Sequence, residues 1–363
     1  TTTAPAAPQE PIGAAVDRIR GPNPLASTGP GLLLADVLYA ATGVPSVMPG
    51  QSWRDRAAHM EDAWGAALDG MTTPFVAGQP VGTVTGALVL NSSATNIQCR
   101  ALVSQVNVLS PASAGDCSVA GAVPGSIDLL SPANGCAGDL TRATAAMTAA
   151  RFPFVTPNAA VTCHPRGGSG TAQLQLGDGG YIENTGIGTL VDLADQWLPD
   201  VRRYNDQVVT GERTGPLLLP TLVYFDNGTG SDIAQKSARP RLEPLVPLLA
   251  KGPNAAALND TDVLLHRAGA TFAVSNVIDG CLEDRFELCE ALRTWRPTAA
   301  YVVFQQTQPA VSAPLGWTLS KAAVESMATG LDGSFTSSSP GVVGHKGYGT
   351  PWALAQLLAT LKG

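Results

Sequence analysis

The sequence predicts an α/β domain in which helices pack on a mainly parallel β-sheet. Short runs of β-branched, aromatic and other apolar residues alternate along the chain with segments of helical apolar periodicity. This alternation is typical of layered α/β folds, because a helix that crosses over between two strands leaves them parallel. A chain of 363 residues, 44% of them hydrophobic, is long enough to bury such a core.

Five short runs have the composition of buried strands, because β-branched and aromatic residues fit a pleated, half-buried surface. They occupy residues 86–90, 102–109, 173–176, 221–225 and 301–304. The third run alternates apolar and polar residues and ends at Gly177, where the pattern breaks. These runs supply the strands of the expected sheet.

Helical patterns lie between the strands. Ser52 and Asp55 have the spacing of a capping box. The residues that follow place Met60, Trp64 and Leu68 on one helical face. Further helices are predicted at 188–197, 242–249, 260–267, 320–328 and 350–363, and the Gly/Pro-rich segments 110–136 and 227–240 are expected to be surface loops.

Composition excludes several classes of protein. The apolar content excludes an intrinsically disordered chain. The formal net charge of −7 argues against a nucleic-acid partner, which needs a basic surface. Charged residues make up 14% of the chain, against about 25% in an ordinary soluble domain. This low charge density fits either a chain that works near lipid or one rich in neutral loops, and the second interpretation is preferred.

No stretch of the sequence has the length and hydropathy of a transmembrane helix. The nearest, residues 31–44, is short and contains Asp36, so a buried or interfacial helix is expected there. Residues 1–11, TTTAPAAPQEP, are interpreted as a processed end or linker, and residues 12–363 as the α/β domain.

The cysteines favour an extracytoplasmic location. Cys117 and Cys136 bracket a neutral Gly/Ser/Pro-rich stretch, and Cys281 lies close to Cys289, which are natural settings for disulfides. Six free thiols remain the alternative, and six cysteines allow 15 pairings. No CxxC pair occurs and the four histidines are far apart, so a zinc site is not expected.

The segment 177–189, GDGGYIENTGIGT, carries the clearest chemical signal. It predicts the end of a strand, a turn, and a helix that begins near Asn184 or Thr185. Asp178 then lies at the carboxyl end of a strand, where α/β folds bind ligands and place catalytic groups.

Three glycines surround this aspartate: Gly177, Gly179 and Gly180. They are expected to let the backbone adopt positive φ and to leave the carboxylate open. The alternative is structural, with Asp178 capping a turn or the following helix.

Together with AARFPFVTP at 149–157, the segment GDGGYIENTG resembles the second catalytic block of bacterial patatin-like phospholipases. Other segments resemble that family in the same order, so that the resemblance spans about residues 12–330. They are RGPNPLASTGPGLLLADVLY from Arg20, DRAAHMEDAW from Asp55, LVLNSSATNIQCR from Leu88 and PLGWTLS from Pro314.

The resemblance implies a three-layer α/β/α sandwich of patatin type with a mainly parallel central sheet, lacking its first strands. It implies a lipid acyl-ester hydrolase with a Ser–Asp dyad, in which Asp178 is the general base and Gly179 and Gly180 shape its approach to the nucleophile. Tyr181 and Asn184 are interpreted as packing and helix-start residues. The expected partner is a lipid or membrane surface, without a metal or organic cofactor.

The family's nucleophile motif, GxSxG, does not occur in the sequence. Pro8 stands where the nucleophile is expected, and proline has no hydroxyl group and a fixed φ. Ser169, in GGSGT, comes nearest to the motif but lacks the second glycine. The Gly-rich loop that supplies the family's oxyanion donors is missing as well.

Two explanations remain open. In the first, the chain is part of a patatin-like enzyme whose nucleophile lies on an N-terminal fragment or a partner chain. In the second, it is a non-catalytic patatin-like envelope protein that binds lipid or a partner subunit. The apolar residues Leu32, Leu33, Leu34, Val37 and Leu38 fit a lipid-facing wall, although ordinary core is the preferred interpretation.

Overall fold

The computed structural model describes residues 37–42, 55–78, 86–106, 125–152, 155–164, 171–226, 261–278, 301–305, 321–322, 325–326 and 329. Several predictions fall outside these residues. They concern the helices at 242–249 and 350–363, the loop at 227–240, and Pro8, Leu32, Leu33, Leu34, Ser52, Cys117, Ser169, Cys281 and Cys289.

Helices and strands are both present, which confirms an α/β chain in general. The helices are α1 (Val37–Thr42), α2 (Arg56–Ala67), α3 (Arg142–Ala149), α4 (Ile187–Thr210), α5 (Thr261–Thr271) and α6 (Val274–Val277). The strands are β1 (Val89–Ala94), β2 (Cys99–Ser104), β3 (Ser126–Asp128), β4 (Ala159–Cys163), β5 (Ala172–Asp178), β6 (Leu222–Asp226) and β7 (Tyr301–Gln305). A single 3₁₀ turn, Gly179–Tyr181, follows β5 directly.

The five-stranded sheet is mixed, whereas the sequence predicts a mainly parallel one. Its order is β3-β2-β1-β5-β4, and only β2 and β3 run parallel. For β1 and β2 the reason is local: a tight turn joins them, with Gln98 at a φ of 56°, and so short a connection makes an antiparallel hairpin. A separate pair, β6 and β7, is parallel as expected.

Helices lie on both faces of this sheet. Ala101 and Val103 of β2 belong to the same apolar cluster as Ala145 of α3, whereas Leu102 packs against Leu193 of α4. Because successive side chains of a strand point to opposite faces, α3 and α4 cover opposite sides. The remaining members of the first cluster are Phe75, Ala94, Cys99, Ile127, Leu129, Cys163, Leu174 and Leu176.

A second apolar cluster is built around α4. Its buried members come from α4, β6, α5, α6 and the residues that directly follow α5 and α6: Ile187, Val191, Ala194, Leu198, Val209, Leu222, Leu264, Leu265, Ala268, Phe272, Val277 and Ile278. Trp197 stacks on Phe272 with ring centroids 6.0 Å apart. This cluster anchors α4, and therefore the segment that follows the Asp178 turn.

A disulfide joins the two edges of the five-stranded sheet. Cys136 follows edge strand β3, Cys163 ends edge strand β4, and the two are bonded. The amide of His164 also donates to the carbonyl of Gly135 at 3.1 Å. These two contacts hold the edges of the sheet together, so that the sheet curves into a half-barrel. The expected loop between Cys117 and Cys136 is consequently not closed by a disulfide, because Cys136 is already paired.

Helix α2 packs on α3 near the sheet. Met60 is buried against Met147, and Trp64 packs on the same cluster, as the helical periodicity predicts. The helix begins directly after Asp55, which is its N-cap: the Asp55 carboxylate accepts a hydrogen bond from the amide of Ala58 at 3.0 Å.

Other boundaries differ for identifiable reasons. Helix α4 continues well past residue 197, because the exposed Pro199 is accommodated inside it. Strand β3 lies within the segment expected to be a loop. Helix α3 and strand β4 are short and rich in alanine and threonine, and neither is predicted.

Of the apolar residues considered as a lipid-facing wall, Val37 is the one whose exposure is described, and its side chain is 50% exposed. Within the described part of the chain, no helix has both the length and the apolar character needed to cross a membrane.

Candidate functional site

Asp178 is the last residue of β5, and its side chain is half-buried. Its carboxylate Oδ1 accepts a hydrogen bond from the amide of Gly180 at 2.8 Å, so that Asp178 caps the 3₁₀ turn. The structural alternative, a turn-capping aspartate, therefore describes what this side chain does in the protein. The turn also separates the strand from the next helix, which begins at Ile187 rather than near Asn184 or Thr185.

The structure brings the two sequence blocks of the predicted site together. The amide of Asp178 donates to the carbonyl of Arg151 at 2.7 Å, which links the end of β5 to the ARFPF segment. The rings of Phe152 and Tyr181 stack with centroids 6.1 Å apart. Tyr181 is thus a packing residue, as the sequence predicts.

The glycines of the turn are required for close packing and not for an unusual backbone conformation. The expectation of positive φ is wrong, because Gly177, Gly179 and Gly180 all lie outside that region. A Cβ atom on Gly179 would lie 2.3 Å from the carbonyl oxygen of Asn91. A Cβ on Gly180 would lie 3.0 Å from the Asp178 Oδ1 and would crowd the carboxylate.

Burial raises the pKa of Asp178 above its ordinary value, and the hydrogen bond from the Gly180 amide opposes part of that rise. Burial also raises the pKa of Tyr181, and the nearby negative charge of Asp178 adds to the effect. A desolvated carboxylate holds a proton more tightly than one in water, which makes it a better general base.

Two serines lie directly beneath the turn, but neither is a nucleophile for Asp178. Ser92 and Ser93 of β1 are fully buried, and their hydroxyls donate to backbone carbonyls. Among the described residues, no hydroxyl donates to the Asp178 carboxylate.

Sequence reasoning missed a buried ionic network behind the turn. Arg100 of β2 donates to Glu183 at 2.9 Å and also to Asp192 of α4. Thr189 donates through both its amide and its hydroxyl to Glu183. Arg267 of α5 binds the other oxygen of Asp192 at 2.7 Å. Two features of the sequence could have indicated this network: Arg100 lies inside an apolar strand, and Glu183 lies inside the YIEN segment.

A second network holds Arg151. Its guanidinium contacts Asp55 at 3.4 Å and donates to the carbonyl of Pro157 at 2.9 Å. Glu61 lies 3.9 Å from the same guanidinium, and burial raises the pKa of Glu61. These contacts link helix α2 to Arg151, whose backbone carbonyl accepts the hydrogen bond from the Asp178 amide.

Within the described ranges, no three or more histidine, cysteine, aspartate or glutamate residues are grouped so that they could hold a metal ion. The candidate site offers the desolvated carboxylate of Asp178, the backbone donor of Gly180 and the aromatic pair of Phe152 and Tyr181.

Comparisons of the chain with known protein families, with curated proteins and with solved structures find no match.

Proposed function

We propose that the chain is a patatin-like lipid acyl-ester hydrolase module, with Asp178 as the general base of a Ser–Asp dyad. The observation that carries the proposal is the Asp178 carboxyl group itself. It stands at the carboxyl end of β5, is partly desolvated, and is held by the Gly180 amide. The ARFPF and DGG blocks, which carry the resemblance to that family, are in direct contact through the Asp178 amide and the Arg151 carbonyl.

The carboxylate is suited to accept a proton. Its Oδ1 is bound by the Gly180 amide, whereas its Oδ2 accepts no hydrogen bond from any described residue. A dyad has no imidazole, so the carboxylate must take the proton of the serine hydroxyl directly. Burial favours this transfer because it makes the charged carboxylate less stable than it is in water.

The reaction follows from these roles. A serine hydroxyl loses its proton to Asp178 while its oxygen attacks the ester carbonyl, and the alcohol leaves with a proton returned by Asp178. Water then releases the acid from the acyl-enzyme by the same exchange. The printed sequence has no GxSxG, so we place the nucleophile on a further segment or a partner chain.

The proposed fold is a patatin-type three-layer sandwich, which the positions of α3 and α4 on opposite faces of the sheet support. The proposed setting is extracytoplasmic, at a lipid or membrane surface. It is supported by the disulfide between Cys136 and Cys163, because such bonds persist in oxidising compartments.

A non-catalytic envelope protein that binds lipid or a partner subunit is the second candidate. The observation that favours it is the engagement of Asp178 as a turn cap, together with hydroxyls of Ser92 and Ser93 that bind only backbone carbonyls. In that case the turn is retained for its structure.

The test uses the native protein, purified with all segments and partners that accompany it. A fluorophosphonate probe should label a serine, and Asp178→Asn should abolish both labelling and the hydrolysis of short acyl esters. Asp195→Asn removes the same charge from an exposed position of α4 and should change neither. If the native protein takes no label, the hydrolase proposal fails and the second candidate is retained.

A further inference from the structure

The central strand of the sheet carries two consecutive serines at positions from which water is excluded. Ser92 and Ser93 of β1 both have 0% exposure. Their side chains point to opposite faces, since Ser92 is paired with Ala101 and Ser93 with Arg100 across the ladder. Buried hydroxyls require hydrogen-bond partners, and the partners chosen here differ between the two.

Ser92 faces helix α3. Its hydroxyl oxygen lies 2.9 Å from the carbonyl oxygens of both Thr148, in that helix, and Gly177, and shares its single hydrogen between them. These bonds tie the strand to the helix that packs on it. They act one residue before Asp178 and do not touch the turn.

Ser93 faces the other side and reaches the turn itself. Its hydroxyl donates to the carbonyl of Asp178 at 2.6 Å and lies 3.3 Å from that of Gly179. These two peptide units are the ones at which β5 ends and the 3₁₀ turn begins. The orientation of the first unit fixes the backbone of Asp178, and with it the direction of the side chain.

We propose that Ser93 is a positioning residue for the Asp178 carboxyl group. Its hydroxyl holds the Asp178–Gly179 peptide unit in the orientation that lets the Gly180 amide bind the carboxylate. The hydroxyl is used as a donor to the backbone, so Ser93 is not the nucleophile. This inference deepens the proposed function and rests on it, in that the group being positioned is the proposed base.

The test compares two variants of matched size. Ser93→Thr and Ser93→Val both introduce a β-branched side chain that suits a strand, and they differ in the hydroxyl. The readouts are the carboxyl titration of Asp178 by ¹³C NMR, assigned with Asp178→Asn, and hydrogen exchange of the Gly180 amide. Ser92→Thr and Ser92→Val form the control pair at an equally buried position of the same strand.

The expected result is specific to the hydroxyl at position 93. Ser93→Val should raise the pKa of Asp178 further, because the carboxylate loses the Gly180 amide that favours its charged form, and should speed exchange at Gly180, whereas Ser93→Thr should retain the native behaviour. Both Ser92 variants should leave the Asp178 titration unchanged. If Ser93→Val does not fold, Ser93→Ala, which adds no atoms beyond those of serine, is compared with the native protein in the same way.

Two results would overturn the proposal: an equal titration of Asp178 in the hydroxyl-bearing and hydroxyl-free variants of Ser93, or an equal shift in Ser92→Val. Where the native protein takes the fluorophosphonate label, Ser93→Val should also slow ester hydrolysis about tenfold to a hundredfold through kcat, with KM unchanged. If the titration shifts as expected but the native protein takes no label, positioning by Ser93 stands and the hydrolase proposal alone fails.

Discussion

Arg100 and Glu183 form a buried ion pair, with 2.9 Å between the guanidinium Nη1 and the carboxylate Oε2 and at most 1% of either side chain exposed. The pair joins β2 to the segment that follows the Asp178 turn. Asp192 binds Arg100 through one carboxylate oxygen and Arg267 of α5 through the other. A charge this deeply buried is tolerated because each member has a partner of opposite sign.

Removing Arg100, which pairs with both carboxylates, is therefore expected to destabilise the folded protein. Arg100→Met leaves the carboxylates of Glu183 and Asp192 buried without Arg100, and we expect it to lower the free energy of unfolding by about 3–5 kcal/mol. Urea unfolding followed by circular dichroism measures the change. Arg203→Met is the control, because Arg203 pairs with Asp200 on the exposed face of α4 and such pairs contribute about 1 kcal/mol or less. Equal losses in the two variants would contradict the role assigned to the buried network.

The disulfide that joins the sheet edges should stabilise the fold by restricting the unfolded chain. Cys136 and Cys163 are separated by 27 residues, and loop-closure entropy for that separation corresponds to about 3.5 kcal/mol. We expect the double variant Cys136→Ser, Cys163→Ser to lose stability of that order in urea unfolding. The double variant is preferable to a reductant, because Cys99 is also disulfide-bonded and would be reduced too. A loss below about 1 kcal/mol would mean that the half-barrel is closed by its other contacts.

Much of the fold follows from local sequence patterns. The alternation in 173–176 and the β-branched runs at 221–225 and 301–304 predict β5, β6 and β7 to within a few residues, because their side chains alternate or are strongly β-forming. The packing of Met60 and Trp64 follows from helical periodicity. The direction of the strands does not follow from local patterns, since it depends on the turn at Gln98 and on which distant segments become neighbours.

The position of the candidate site in the fold was predictable, but its supporting contacts were not. Asp178 stands at the end of a strand, as the glycine-rich turn indicates. The roles of Ser93 and Arg100 depend on pairing across the sheet, which a local pattern does not encode. The pairing of Cys136 with Cys163 is likewise a property of the assembled sheet, because the two residues lie at its opposite edges.

Gly179 should not tolerate a side chain. A Cβ at this position would lie 2.3 Å from the backbone oxygen of Asn91, so that two backbone segments must separate. We expect Gly179→Ala to lower the free energy of unfolding by about 1–3 kcal/mol, the usual cost of overpacking. Gly138→Ala is the matched control, because nothing lies within 4 Å of its added Cβ. Thermal unfolding distinguishes the two, and an unchanged midpoint in Gly179→Ala would show that the turn can move away from β1.

The buried carboxyl group of Asp178 should make stability depend on pH in a defined direction. Because burial raises its pKa in the folded state, the folded chain binds this proton more tightly than the unfolded chain does. Stability therefore falls as pH rises from the unfolded pKa of about 3.9 to the raised folded pKa, and it stays lower above that window.

The variant Asp178→Asn removes this titration while keeping an oxygen that accepts the Gly180 amide. We expect it to match the native protein in acid, where Asp178 is protonated in both states, and to be the more stable protein at neutral pH. Urea unfolding at a series of pH values measures the difference, which should grow through the window and then become constant. The same measurement on Asp195→Asn, at an exposed position of α4, controls for the loss of one negative charge. The contrary result is a native protein that is more stable than Asp178→Asn at neutral pH. It would show that contacts other than the Gly180 amide favour the charged carboxylate. Desolvation would then not be the dominant effect on Asp178.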